Sequence, residues 1–290
     1  MVIRKALSAD HDVELAETQR RRHATDLARD AASDGYDAVV VLGGDGTLNE
    51  AADGLIDSDC ALAPIPGGST NVFARTIGFP NDAVEATATL LEALATPSIS
   101  RIGVGAVNDR TFLFHVGLGF DAAVVEQVER RGSLKRWAGH PLFIYSALAT
   151  WLRHYDRRRP RYRATYPDGG EVVDARFGMC LNTNPYTFLG NAPLDLAPGT
   201  GLDTGLSLIN VRTMAIAPTV SLAISSLRSG RLLERSRWVE RRQNLSGVQI
   251  VGYGPLPYQV DGDYIGESEE LQIVFRPDAL NLVLPRTLKS

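Results

Sequence analysis

Hydrophobic and polar positions are distributed in two different ways along this chain. In the first hundred residues, short apolar runs alternate with helical patterns. Asp12 to Glu17 alternates in part and predicts a strand, and Gln19 to Ser33, rich in Arg, Ala, Asp and Leu, predicts a helix with Thr18 as its N-cap. Tyr36 to Leu42 is a continuous apolar run with β-branched residues, the pattern of a strand buried on both faces of a parallel sheet. A helix over Leu48 to Ile56, a strand over Cys60 to Ile65 and a helix over Thr70 to Ile77 follow. This β-α alternation predicts an open parallel sheet with right-handed crossovers.

From about residue 101 the pattern shortens to strand-sized segments separated by turn residues. Strands are predicted at Arg101–Val107, Thr111–Gly117, Tyr162–Tyr166, Glu171–Leu181, Leu206–Val211, Ser246–Val251 and Pro257–Val260. Two helices interrupt them, Ala122–Arg131 and His140–His154, and two short strands, Leu271–Phe275 and Leu280–Leu284, close the chain. The predicted organisation is an α/β domain over residues 1–100, an all-β domain over 101–265, and terminal strands over 266–290.

Composition is consistent with this picture. The 290 residues are 44% hydrophobic and 22% charged, enough to build real cores. A net charge of -4 supplies no global basic field, so nucleic acid is not an expected partner. Cys60 and Cys180 have no Cys or His neighbour at metal-ligand spacing and read as reduced, buried thiols. The first residues lack the apolar core of a signal peptide, and no window reaches the ~18 apolar residues of a membrane span. The expectation is a cytoplasmic protein that meets a membrane, if at all, as a peripheral protein at its inner face.

Two glycine loops carry the candidate chemistry. Gly43-Gly44-Asp45-Gly46-Thr47 lies between a predicted strand and a helix. Glycines there let the backbone turn sharply and approach a ligand, and the helix N-terminus behind them suits phosphate. Thr47 and Glu50 also fit a capping box, which would leave them the purely local role of finishing the helix. Pro66-Gly67-Gly68-Ser69-Thr70-Asn71 repeats the design, with Ser69 or Thr70 as helix cap and phosphate donor. Two such loops after consecutive strands predict two anion-binding helix ends at the carboxyl edge of one sheet. Neither is a Walker A loop or a dinucleotide fingerprint. Asp261-Gly262-Asp263, taken alone, reads as a hairpin turn.

Together these segments resemble the diacylglycerol kinase catalytic family, which includes sphingosine and ceramide kinases and bacterial lipid kinases. The resemblance rests on Val39 to Glu50 and Pro66 to Arg75, and continues at Gly117-Leu-Gly-Phe-Asp-Ala122, Leu202-Asp-Thr-Gly-Leu206 and Val260-Asp-Gly-Asp263. It implies an NAD-kinase-like α/β domain with an inserted or following β-sandwich domain. The terminal strands would return to the first domain, and the site would lie between the two. It implies ATP with Mg2+ as cofactor, bound by Thr18, by the loop Gly43, Gly44, Asp45, Gly46, Thr47, Leu48, Asn49 and Glu50, and by Ser69, Thr70 and Asn71. It places a proton-accepting carboxylate at Asp263, where relatives usually carry Glu. Asp261, two residues away, is the rival base, and an acid at Asp45 in a phosphate loop suits orientation of a metal-bridged phosphate or the attacking hydroxyl. Bacterial relatives build a structural magnesium site with Leu-Asp-Asp-Gly. Here Asp203 is kept and Thr204 replaces the second Asp, so the metal site is expected to be weakened. Relatives also begin with a strand ending in Asn-Pro, whereas Met1 to Leu7 resembles the end of the helix that follows it, so that first strand is expected to be missing.

The expected reaction is ATP-dependent phosphorylation of a hydroxyl on a membrane lipid such as diacylglycerol. The alternatives are a kinase for a soluble substrate such as NAD, and an inactive homologue that binds nucleotide or lipid. His140 to Leu152 carries Leu142, Phe143, Ile144, Tyr145, Leu148, Trp151 and Leu152, and serves either as a packed helix or as a wall for acyl chains. Six arginines between Arg153 and Arg163, and a second cluster at Arg130, Arg131, Lys135 and Arg136, would attract an anionic leaflet or merely be solvated. Self-association into a homodimer is left open.

Overall fold

The computed structural model describes residues 2–96, 98–130, 150, 155–156, 159–215 and 236–285. They form two compact units, residues 1–103 with 277–290, and residues 104–276.

In the first unit, β1 (Ala38–Gly43) and β2 (Ala61–Pro66) pair in parallel from Ala38 opposite Ala61 to Gly43 opposite Pro66. The end of the last strand, β14 (Asp263–Val283), adds in parallel on the other side of β2 with Leu282 opposite Leu62. Helices α1 (Val2–Leu7), α2 (His23–Ser33), α3 (Asp45–Leu55), α4 (Val72–Thr76) and α5 (Ala83–Leu94) complete the unit. Every residue of β2 is buried, as befits a strand paired on both sides. β1 is only partly buried, and Leu42 is 55% exposed, because among the described residues β1 pairs with β2 alone. Burial on both faces is therefore a property of β2, not of β1. Helices α2 and α3 pack closely at Gly54, where a Cβ would lie 2.4 Å from the Thr25 carbonyl oxygen.

Local chemistry moves several predicted boundaries. Residues 12–17 form no strand; they are largely exposed and find no ladder to join. Helix α2 starts at His23 because Arg22 sits at φ 63 and donates its N–H to Glu50 at 2.8 Å. Thr18 lies outside it, exposed, and caps nothing there. Helix α4 is shorter than its pattern because Asn71, at φ 50, breaks from helical geometry. Helix α5 has no counterpart in the pattern reading, although Asp82 caps it by accepting from Val84 and Glu85 N–H at 2.9 and 3.0 Å.

The second unit is antiparallel. The remaining strands among the described residues are β3 (Ile99–Val107), β4 (Arg110–Phe112), β5 (His115–Leu118), β6 (Tyr162–Thr165), β7 (Glu171–Ala175), β8 (Phe177–Leu181), β9 (Thr187–Leu189), β10 (Ala192–Leu194), β11 (Leu206–Val211), β12 (Val239–Leu245) and β13 (Gly247–Val260). Strand β13 is the spine: it pairs with β14 along most of its length, with β6 at residues 249–252 and with β5 at residues 258–260. From β5 the ladder continues through β8 and β11 to β12. Phe112, Leu118, Tyr162, Leu208, Ile250, Leu256 and Leu271 meet in one apolar core. The two segments predicted at 246–251 and 257–260 are one strand that shifts register between Val251 and Leu256, where Gly254 takes φ 139. Conversely, Glu171–Leu181 breaks at Arg176, whose N–H donates to the Val211 carbonyl at 2.9 Å. Helix α6 (Phe120–Glu129) follows β5 directly.

The predicted helix His140–His154 falls outside the described residues except at Thr150. So do Arg131, Lys135, Arg136, Arg153, Arg157 and Arg158. Among the described residues no helix is long and apolar enough to cross a membrane.

Candidate active site

The two glycine loops of the first unit lie against each other. Gly67 donates its N–H to the Gly43 carbonyl at 2.8 Å, and a Cβ on Gly68 would lie 2.7 Å from the Gly44 Cα. The glycines therefore serve a contact between loops as well as any approach to a ligand. Helix α3 starts at Asp45, two residues earlier than Thr47, with Gly44 as an N-cap that has no side chain to offer. Its first helical bond runs from Leu48 N–H to the Gly44 carbonyl at 3.1 Å, so the amides of Gly46 and Thr47 have no acceptor within the helix. That end of α3 has the chemistry of an anion site.

Asp45 is the first residue of α3, but its side chain serves the other helix. Its carboxylate accepts from Val72 N–H at 2.9 Å and Phe73 N–H at 3.1 Å, so it caps α4 from the neighbouring loop. The second helix end is thus already supplied with an anion, which revises the expectation of two equivalent phosphate-binding ends. Asn71 is buried and folds back onto Gly68, accepting from its N–H at 2.8 Å and donating to its carbonyl at 3.0 Å. Ser69 is exposed and Thr70 half-buried; neither caps α4. Leu48 and Asn49 are buried in the body of α3. Glu50 accepts from Arg22 N–H, so the Thr47–Glu50 capping box does not form. Burial of Arg75 lowers its pKa, and the nearby charge of Asp45 opposes that shift.

In the second unit, Asp261-Gly262 is the two-residue turn between β13 and β14, with Val260 opposite Asp263 and positive φ at both turn residues, 48° and 82°. The hairpin and the family motif are the same object. The turn sends its two carboxylates to different surroundings. Asp261 is 3% exposed and accepts from Leu113, Phe114 and His115 N–H at 2.7, 3.0 and 2.9 Å. These bonds also explain why Thr111–Gly117 is two strands: residues 113 and 114 turn their amides to Asp261. Asp263 keeps a side-chain exposure of 28% and faces Arg110 at 3.9 Å, an ion-pair separation longer than a hydrogen bond.

Around this turn lie groups that pattern reading did not single out. His115 is buried against the Tyr186 ring at 4.5 Å between centroids, and burial pushes its pKa down to about 3. Burial also raises the pKa of Asp121, against the pull of hydrogen bonds from Tyr186 and Gln259. The magnesium site expected at Asp203 does not fit the residues present. Thr204 Oγ1 accepts from Gly201 N–H at 2.9 Å and donates to the Gly201 carbonyl at 3.0 Å, so the loop is closed by a hydroxyl. Among the described residues no three His, Cys, Asp or Glu side chains gather to hold a metal ion.

This set of glycine loops and Asp-Gly-Asp turn has relatives. The family model for the diacylglycerol kinase catalytic domain matches residues 1–107. A diacylglycerol kinase of Bacillus subtilis is 36% identical over 272 residues, covering 91% of this chain and 84% of that protein. The chain belongs to the diacylglycerol kinase family. A Bacillus anthracis diacylglycerol kinase structure shares the fold with a TM-score of 0.70 at 20% identity, covering 97% of this chain and 89% of that one. An NAD kinase from Archaeoglobus fulgidus, solved with ATP, shares it more distantly, with a TM-score of 0.53 at 12% identity, covering 99% and 89%. The chain is thus a member of a lipid kinase family with an NAD-kinase-like α/β part and additional β-rich structure. The family motif Gly117-Leu-Gly-Phe-Asp121 has a steric basis: a Cβ on Gly117 would fall 1.6 Å from Asp121 Oδ2.

Proposed function

We propose that this kinase transfers the γ-phosphoryl group of ATP, brought as its Mg2+ complex, to a hydroxyl of a membrane lipid such as diacylglycerol. The observation that carries the reading is the unequal placement of the two carboxylates at the hairpin. Asp261 is buried and accepts from three backbone amides, while Asp263 is partly exposed beside Arg110. In the proposed step the lipid oxygen attacks the γ-phosphorus, and the bond to the β–γ bridging oxygen breaks with ADP leaving. Asp263 accepts the alcohol proton and returns it to solvent. The amides at the start of α3 and the paired glycine loops would receive the phosphates, and Mg2+ would offset their charge. Access to a lipid hydroxyl requires peripheral contact with the bilayer.

The decisive experiment is transfer of labelled phosphate from ATP to vesicles containing diacylglycerol and to a total lipid extract, with products identified by mass. A phosphorylated lipid supports the proposal. Phosphorylation of NAD and of no lipid would make the substrate soluble, and ATP binding without transfer to either would make the chain an inactive homologue.

A further inference from the structure

Both ends of helix α6 connect to the backbone beside Asp263, one through Gln259 and one directly at Tyr264. At the first turn, Asp121 Oδ2 accepts from Gln259 Nε2 at 2.8 Å, and Gln259 Oε1 accepts from Gly262 N–H at 2.8 Å. Tyr186 donates its hydroxyl to the other Asp121 oxygen at 2.5 Å. The polarity of this relay is fixed. A backbone N–H can only donate, so Gln259 must present its carbonyl to Gly262 and its amino group to the carboxylate. Asp121 and Gln259 are both buried, at 8% and 0% exposure, where a misdirected polar group is costly. At the last residue of α6, Glu129 Oε1 accepts from Tyr264 N–H at 2.9 Å. The amide before Asp263 is thus held by Gln259, which Asp121 orients from the first turn of α6, and the amide after it is held directly by Glu129 from the last.

We infer that α6 is a clamp on the hairpin tip, and that Asp121, acting through Gln259, and Glu129 are positioning residues that fix the backbone on both sides of Asp263. The inference rests on the proposed phosphoryl transfer for its functional meaning. A base must lie within hydrogen-bond reach of the proton it takes, and a shift of about 1 Å costs on the order of 100-fold in rate. The clamp also gives the Gly-Leu-Gly-Phe-Asp motif a purpose: Gly117 leaves the space through which the Asp121 carboxylate reaches Gln259, whose Nε2 would lie 2.5 Å from a Cβ at residue 117.

Two readouts test it on the full-length chain. The first is amide hydrogen exchange at Gly262 and Tyr264. Glu129→Ala should speed exchange at Tyr264 about tenfold or more with the rest of β14 unchanged. Glu129→Gln, which keeps an acceptor oxygen, should restore protection. Asp121→Ala should do the same at Gly262. The second is lipid phosphorylation, where Glu129→Ala should lower kcat about tenfold at unchanged KM for ATP, with rescue by Glu129→Gln. A role confined to stability would lower the melting temperature and leave kcat well below melting intact. If the wild-type chain phosphorylates no lipid, the proposed function fails, and the exchange pattern alone decides the clamp. Unchanged exchange at Gly262 and Tyr264 in these alanine variants overturns the inference. So does unchanged kcat in an active enzyme.

Discussion

The Gly43–Thr47 loop and the Asp261–Asp263 hairpin solve one problem in two ways. Each is a glycine-bearing turn that must hold a carboxylate steady. In the first, a single residue does everything. Asp45 caps α4 across the gap between loops, and the loops themselves abut through Gly43, Gly44, Gly67 and Gly68. In the second, the work is divided. Asp261 ties the turn to three amides in the core, and Asp263, two residues on, stays at the surface beside Arg110. Divided labour lets one carboxylate keep a side-chain exposure of 28%. Undivided labour means that whatever Asp45 contributes to chemistry cannot be separated from its contribution to the loop.

The largest expected effect falls on Asp261. Asp261→Ala leaves three buried amides without an acceptor and should cost about 3–5 kcal/mol of stability. A melting temperature near wild type would show that the hairpin is not tied through this side chain. Next is Asp263→Asn, which keeps shape and removes basicity. Turnover should fall about 100-fold, equivalent to about 2.7 kcal/mol, with melting and ATP affinity unchanged. Normal turnover there would erase the division of labour. Asp45→Ala should lie between these two kinds of behaviour. Losing an acceptor for two N-terminal amides of α4 should cost about 1–2 kcal/mol, and transfer should fall in parallel. If transfer is lost at undiminished stability, Asp45 acts on the phosphates and its capping is incidental.

The last effect appears only in acid. His115 is neutral in the fold down to about pH 3, whereas an unfolded imidazole protonates near 6.5. Because its folded pKa is depressed, the unfolded chain takes up a proton that the folded chain refuses. Stability is retained above about pH 6.5 and declines as pH falls towards 3, at up to ~1.4 kcal/mol per unit. His115→Gln should flatten the acid limb of a denaturation series by about one proton. An unchanged slope would mean that His115 is not held neutral.

Much of this is written in the chain itself. The β-α alternation, the two glycine loops and the Asp-Gly turn are local signals, because glycine conformations and apolar periods act over a few residues. The strand β2 and the strand-rich stretch after residue 101 were legible for the same reason, whereas burial on both faces was expected of β1 and belongs to β2. Strand β12, Val-Glu-Arg-Arg-Gln-Asn-Leu, was not, since a polar segment becomes a strand only by pairing with β11. Tertiary structure alone decided where the carboxylates point. Asp45 meets Val72 and Phe73 27 and 28 residues away, Asp261 meets Leu113 148 residues away, and Glu129 meets Tyr264 135 residues away. A carboxylate finds its partners in space, and no local pattern records which distant amides the fold will bring to it. The sequence named the carboxylates of the turn; the fold decided that Asp261 is buried on three amides and that Asp263 keeps partial exposure.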